Sequence, residues 1–131
     1  MNNREVDMIL WLNRNSAAFK VNLRDIYQIS MLHANNNAAK TVLQEKEGTL
    51  GLIRAYCTVS LEFITNKELK ITLNSIKECS EAIIKNLNTE EIGVPLQALH
   101  NSLRDKRIME ESFFQELNLE IKAISLKVLG K

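Results

Sequence analysis

The stretch from Lys67 to Leu87, KELKITLNSIKECSEAIIKNL, decides the fold class. At 100° per residue, Leu69, Leu73, Ile76, Cys79, Ser80, Ile83, Ile84 and Leu87 fall within about 140° of arc. Lys70, Asn74, Glu78, Glu81 and Lys85 fall opposite. That is one dry face and one wet face of an α-helix. Thr65 and Asn66, just before it, are both residue types that cap a helix N-terminus.

Working outward, the same period recurs and breakers are rare. The chain has one proline, Pro95, and four glycines: Gly48, Gly51, Gly93 and Gly130. Proline and glycine punctuate regular structure, so long helices are expected between these points. Upstream, Leu50 to Ile64 is apolar around more than half its circumference, with Arg54, Thr58 and Glu62 as its polar strip. A helix wet on so narrow a strip packs on several sides, and is expected to be the central element. Gly48 is read as the end of the preceding helix and Thr49 as a cap. Gly51 in the first turn costs up to about 1 kcal/mol relative to alanine.

Two helices are expected before Gly48. The first spans Asn3 to Phe19, with Val6, Ile9, Leu10, Leu12, Ala17 and Phe19 on one broad face and Trp11 opposite. The second starts after Asn22 and runs to Glu47, with Leu23, Ile26, Tyr27, Ser30, Ala34, Ala38 and Thr41 in one stripe. The run Asn35-Asn36-Asn37 is poor in helix propensity. The stripe nevertheless keeps register across it, which favours a single helix.

Downstream, Asn88-Thr-Glu-Glu91 fits a capping box, Gly93 stops that turn, and Pro95 suits the first position of a new helix. Leu96, Leu99, Leu103, Phe113, Phe114, Leu117, Ile121, Ile124 and Val128 share a stripe from there to Leu129. One helix of about 35 residues, about 50 Å long, is expected. The predicted fold is all-α: a four- or five-helix bundle with a long C-terminal helix, a single domain over residues 1–131.

Composition narrows the function. Of 131 residues 45% are hydrophobic and 25% charged, the balance of a globular chain. Lys and Arg number 17 against 16 Asp and Glu, for a net charge of +1. That argues against a surface dedicated to nucleic acid. Residues 1–5 carry no signal-peptide pattern, and no apolar run reaches the ~18 residues of a membrane span. Two cysteines, Cys57 and Cys79, are too few for a disulfide framework and read as reduced, buried side chains of a cytoplasmic protein.

Motifs for chemistry are sparse. Neither His33 nor His100 has an acidic residue three or four positions before it, so no metal site is expected. No phosphate loop, dinucleotide fingerprint or nucleophile elbow occurs. Cys57 lies on the most apolar helix, where a thiolate is unfavourable. The segment Ile26–Leu43 fits a helix-turn-helix poorly, because its second helix is short of Arg and Lys. No catalytic role and no cofactor are expected.

Two sets of residues remain. His100, Arg104 and Arg107 share a helix face at i, i+4, i+7, with Lys106 nearby. This basic cluster suits an anionic ligand, a nucleotide or a nucleic-acid backbone; otherwise its charges meet Glu110 and Glu111. Lys106 and Glu110 fall on the apolar stripe itself, an anomaly. The second set is an interface: Trp11 on the polar side of its helix, the small residues Ser30, Ala34 and Ala38, and Phe113 and Leu117 on the long last helix. The leading expectation is therefore a non-catalytic interaction protein that self-associates and binds a protein partner. A binder of an anionic ligand is the alternative.

Overall fold

The computed structural model describes residues 3–31, 36–105 and 110–130. Its described residues form six α-helices: α1 Asn3–Ser30, α2 Asn36–Glu45, α3 Glu47–Leu61, α4 Lys67–Lys85, α5 Gly93–Asp105 and α6 Glu111–Leu129. A single 3₁₀ turn, Glu90–Ile92, precedes α5. The all-α bundle is as expected. No strand occurs among the described residues, and none of their helices is long and apolar enough to cross a membrane.

Helix α4 follows the sequence closely. Leu69, Leu73, Ile76, Ser80 and Ile83 are buried, and Thr72 joins them. Lys70, Asn74, Glu78, Glu81 and Lys85 are all exposed. Asn66 is the N-cap, its side chain accepting from the Leu69 amide at 3.1 Å. Helix α3 folds back against α4 across residues 62–66 and buries Leu50, Ile53, Tyr56, Cys57 and Ser60. The Ser60 and Ser80 hydroxyls lie fully buried, with no hydrogen-bond partner among the described residues.

The N-terminal half departs from expectation. α1 is one helix of 28 residues, about 42 Å long. The chain does not stop at Phe19, and Asn22 is inside the helix rather than capping it. Ile9, Leu12, Phe19, Leu23, Ile26 and Ser30 form one buried row at spacings of three, four and seven. Read on this longer helix, Leu10 and Ala17 lie on the opposite side and are exposed. Dividing the helix at Phe19 had assigned them to the inner face. The second expected helix is divided between the end of α1 and α2, and residues 32–35 lie outside the described residues. His33 and Ala34 fall there.

α1 also takes the place expected of α3. It touches α2, α3, α5 and α6, so the longest helix is the one around which the others gather. α2 ends earlier than predicted. A single turn residue, Lys46, separates it from α3, so Gly48 and Gly51 belong to the first two turns of α3. A methyl group added at Gly51 would meet nothing within 4 Å.

The long C-terminal element is two helices. α5 stops at Asp105, and Glu110 is extended, with φ −77° and ψ 146°, before α6. An apolar stripe stays in register whether two helices are collinear or folded back, so the stripe could not report the break. Thr89, not Asn88, caps the 3₁₀ turn by accepting from the Glu91 amide at 3.2 Å. Gly93 has φ −62° and carries the chain into α5 rather than stopping it. Gly130 ends α6 in the left-handed conformation, φ +70°, which glycine adopts without a Cβ clash.

Candidate interaction surface

Each candidate side chain can now be placed. His100 is buried against α1 rather than presented to solvent. Its ring stacks on Tyr27, with centroids 5.2 Å apart and planes 3° from parallel. Its Nδ1 lies 2.9 Å from the Ser30 hydroxyl, and that hydroxyl donates to the Tyr27 carbonyl at 2.6 Å. A serine has one proton to give. With that proton on the carbonyl, His100 Nδ1–H is the donor to Ser30. This is the reverse of a nucleophile–base pair, in which the serine proton points at the histidine. The contact joins α5 to α1.

Arg104 turns outward, and its Nε pairs with Asp105 of the same turn at 3.1 Å. Lys106 and Arg107 lie outside the described residues. His100 and Arg104 are thus one helical turn apart in sequence but sit on opposite sides of the protein surface boundary, one inside and one out.

The expected interface residues also divide. Ser30, Phe113 and Leu117 are core residues, which corrects their assignment to an interface. Phe113 and Phe114 meet edge to face at 5.1 Å, and Phe114 meets Phe19 at 6.4 Å. Ala38 is half-buried on α2, and Ala34 is among the residues not described. Trp11 is half-buried, its ring 6.0 Å from that of Tyr56. It lines a cleft with Asn15, Phe19, Asn22 and Leu52 whose volume, about 10 Å³, is that of a single water.

Reactive groups are held in neutral form. Burial pushes the Cys57 thiol far above its ordinary value, and the charge of Lys77 offsets this only in part. Cys79 moves the same way through burial and the nearby Glu78, against a hydrogen bond from Ser75. Burial pushes the Tyr56 phenol up to about 12, opposed by its contact with Ser16. Both cysteines are free. Among the described residues, no three His, Cys, Asp or Glu side chains converge as metal ligands.

The surface that sequence reasoning missed lies along α1 and α6. The two helices run antiparallel and are tied by polar contacts. Asn13 Nδ2 donates to Ser125 Oγ at 2.9 Å. Lys20 and Arg24 both pair with Glu111, and both cations sit over the Phe114 ring, at 5.6 and 5.5 Å. On the outer side of this pair, Leu10 is 44% exposed, Val21 65%, Leu119 67% and Leu126 52%. Asp7, Leu10, Asn13 and Arg14 line one shallow groove on α1. Gln115, Asn118, Leu119 and Lys122 line another on α6. The signal was present in the sequence: on an uninterrupted α1, Leu10, Ala17 and Val21 form a second apolar row away from the first.

Compared with known protein families, curated proteins and solved structures, the chain matches none of them.

Proposed function

We propose that this protein is a non-catalytic helical interaction protein, an adaptor, inhibitor or regulatory subunit that acts through protein–protein contacts and self-associates. One observation carries the reading: large apolar side chains stand exposed on the outer side of the α1–α6 pair. Apolar side chains left in water on two neighbouring helices support an interaction surface there. The helices beneath it are fastened by the Glu111 and Ser125 contacts, so the surface is presented on a fixed base. Two free cysteines suit a reducing compartment, and the cytoplasm is the proposed location.

Native mass spectrometry of the freshly purified protein tests the reading, alongside a variant carrying Leu10→Glu and Leu126→Glu. These side chains are exposed, so the substitutions leave the core untouched. The expected result is an assembly, either a multiple of the chain or the chain with a protein partner, that falls to the bare chain in the variant. A bare chain in the unmodified protein at every concentration rejects self-association. Extra mass of nucleotide size would instead favour the anionic-ligand alternative, with Arg104 as the exposed cation of the expected cluster.

A further inference from the structure

The charged side chains of α1 differ in one respect. Arg4 pairs with Glu62, Lys20 and Arg24 with Glu111, and Asp25 with Lys46. Asp7 and Arg14 take part in no ion pair or side-chain hydrogen bond among the described residues. Both are exposed, and both line the groove that holds Leu10. They carry opposite charges seven residues apart, two helical turns or about 10.5 Å along the axis. Leu10 stands between them.

We propose that this face of α1, together with the adjoining face of α6, is an isologous dimer interface, with a second copy of the chain as its occupant. The charge order dictates the occupant. A twofold axis passing level with the midpoint of Asp7 and Arg14 reverses the sequence direction of the facing helix. Each Asp7 then stands opposite Arg14 of the other chain, and two ion pairs follow from one relationship. A parallel arrangement would set like charge on like. In a twofold interface the same patch serves both subunits, so the patch must be its own complement. This one is.

The apolar centre follows from the same axis. Leu126 comes directly after Ser125, whose hydroxyl accepts from Asn13. Leu126 therefore stands at the level of Asn13, on the outer side of α6, half exposed. The axis that pairs Asp7 with Arg14 brings Leu10 and Leu126 of both chains to one place. Four leucines ringed by two ion pairs reproduce the dry centre and polar rim of a specific interface. Leu119 and Val21 lie further along the pair, and Val21 falls beyond the overlap of the two α1 helices.

This inference rests on the reading of the chain as a self-associating interaction protein, and the experiment separates the two. Light scattering after size exclusion, from about 1 to about 200 µM chain, measures the dimer dissociation constant. Asp7→Arg and Arg14→Asp, made separately, each set like charges opposite one another and are expected to raise that constant by about tenfold or more. Circular dichroism verifies that helicity is kept. The decisive step is to mix the two variants. Asp7→Arg and Arg14→Asp chains complement each other across the same twofold, so the mixture is expected to form a heterodimer that neither makes alone. The double variant carrying both substitutions is expected to recover the homodimer. A dimer indifferent to all these changes overturns this face while leaving self-association standing. An unmodified chain that stays monomeric throughout overturns both.

Discussion

The α3–α4 hairpin and the α1–α6 pair are built on different principles. The hairpin closes with aliphatic side chains on both sides: Leu50, Ile53 and Cys57 against Leu69, Leu73, Ile76 and Ile83. Its outer face on α4 is almost wholly polar, though Ile71 stands exposed there. The α1–α6 pair is tied by polar contacts along its length, through Asn13, Ser125, Lys20, Arg24 and Glu111, and keeps leucines on its outside. In the hairpin most of the apolar surface is consumed by folding, with Leu52 on α3 and Ile71 on α4 left exposed. In the pair some of it is left over. An interaction surface is found where burial and hydrophobicity disagree, and the α1–α6 pair has four such residues, Leu10, Val21, Leu119 and Leu126, against two in the hairpin.

The largest effect is expected where the two regions meet. Phe19 on α1 stacks on Tyr56 of α3 at 4.2 Å and also touches Phe114 of α6. Phe19→Ala removes the ring shared by both regions and is expected to cost about 3–5 kcal/mol in a urea unfolding titration. A cost under about 1 kcal/mol would mean that the two regions are fastened independently.

A smaller effect is expected at a carboxylate that links α6 to the hairpin. Glu120 Oε1 accepts from the Thr65 amide at 2.6 Å, the Thr65 hydroxyl at 2.9 Å and the Asn66 amide at 3.2 Å. Burial alone would raise its pKa, but the three hydrogen bonds together outweigh burial and hold it below the ordinary carboxylate value. A depressed pKa gives stability that is fully present above the unfolded-state value, near 4.5, and that is lost as pH falls through the lower folded-state value. Glu120→Gln is expected to cost about 1 kcal/mol at neutral pH. The difference from the parent protein should vanish in acid, below the folded-state value. Melting curves at pH 7 and pH 3 measure this, and a difference independent of pH contradicts the assignment.

The smallest effect sharpens the contrast from the hairpin side. Ser80 carries a buried hydroxyl without a partner among the described residues. Ser80→Ala removes that unpaired group and is expected to stabilise the hairpin by roughly 1 kcal/mol. Thermal unfolding that falls instead of rising would indicate that the hydroxyl is satisfied in solution.

These two regions were also unequally legible. α4 could be read residue by residue, because a helix packed on one side writes its environment into a single clean stripe. α1 could not, because it carries two apolar rows, one towards the core and one towards water. A pattern of spacing reports that rows exist and is silent about which faces inward. The supposed end at Phe19 hid the second row by letting both pass as one broad face. His100 illustrates the same limit for single residues. Its spacing to Arg104 was correct, but its ring was claimed by Tyr27 and Ser30, seventy residues away in the chain for the serine.

What the sequence by itself determined is the class and much of the local structure. Few breakers and a 3.6-residue period leave an all-α bundle as the outcome, and short-range chemistry placed the Asn66 cap and the wet and dry faces of α4. What only the tertiary structure decided is which side of α1 is inside, that the last third of the chain is two helices rather than one, and which candidates become core. Ser30, His100, Phe113 and Leu117 were drawn inward, while Leu10 and Leu126 were left in water. The physical reason is that helix hydrogen bonds and caps join residues three or four apart, whereas the choice among apolar faces depends on neighbours brought together from distant parts of the chain.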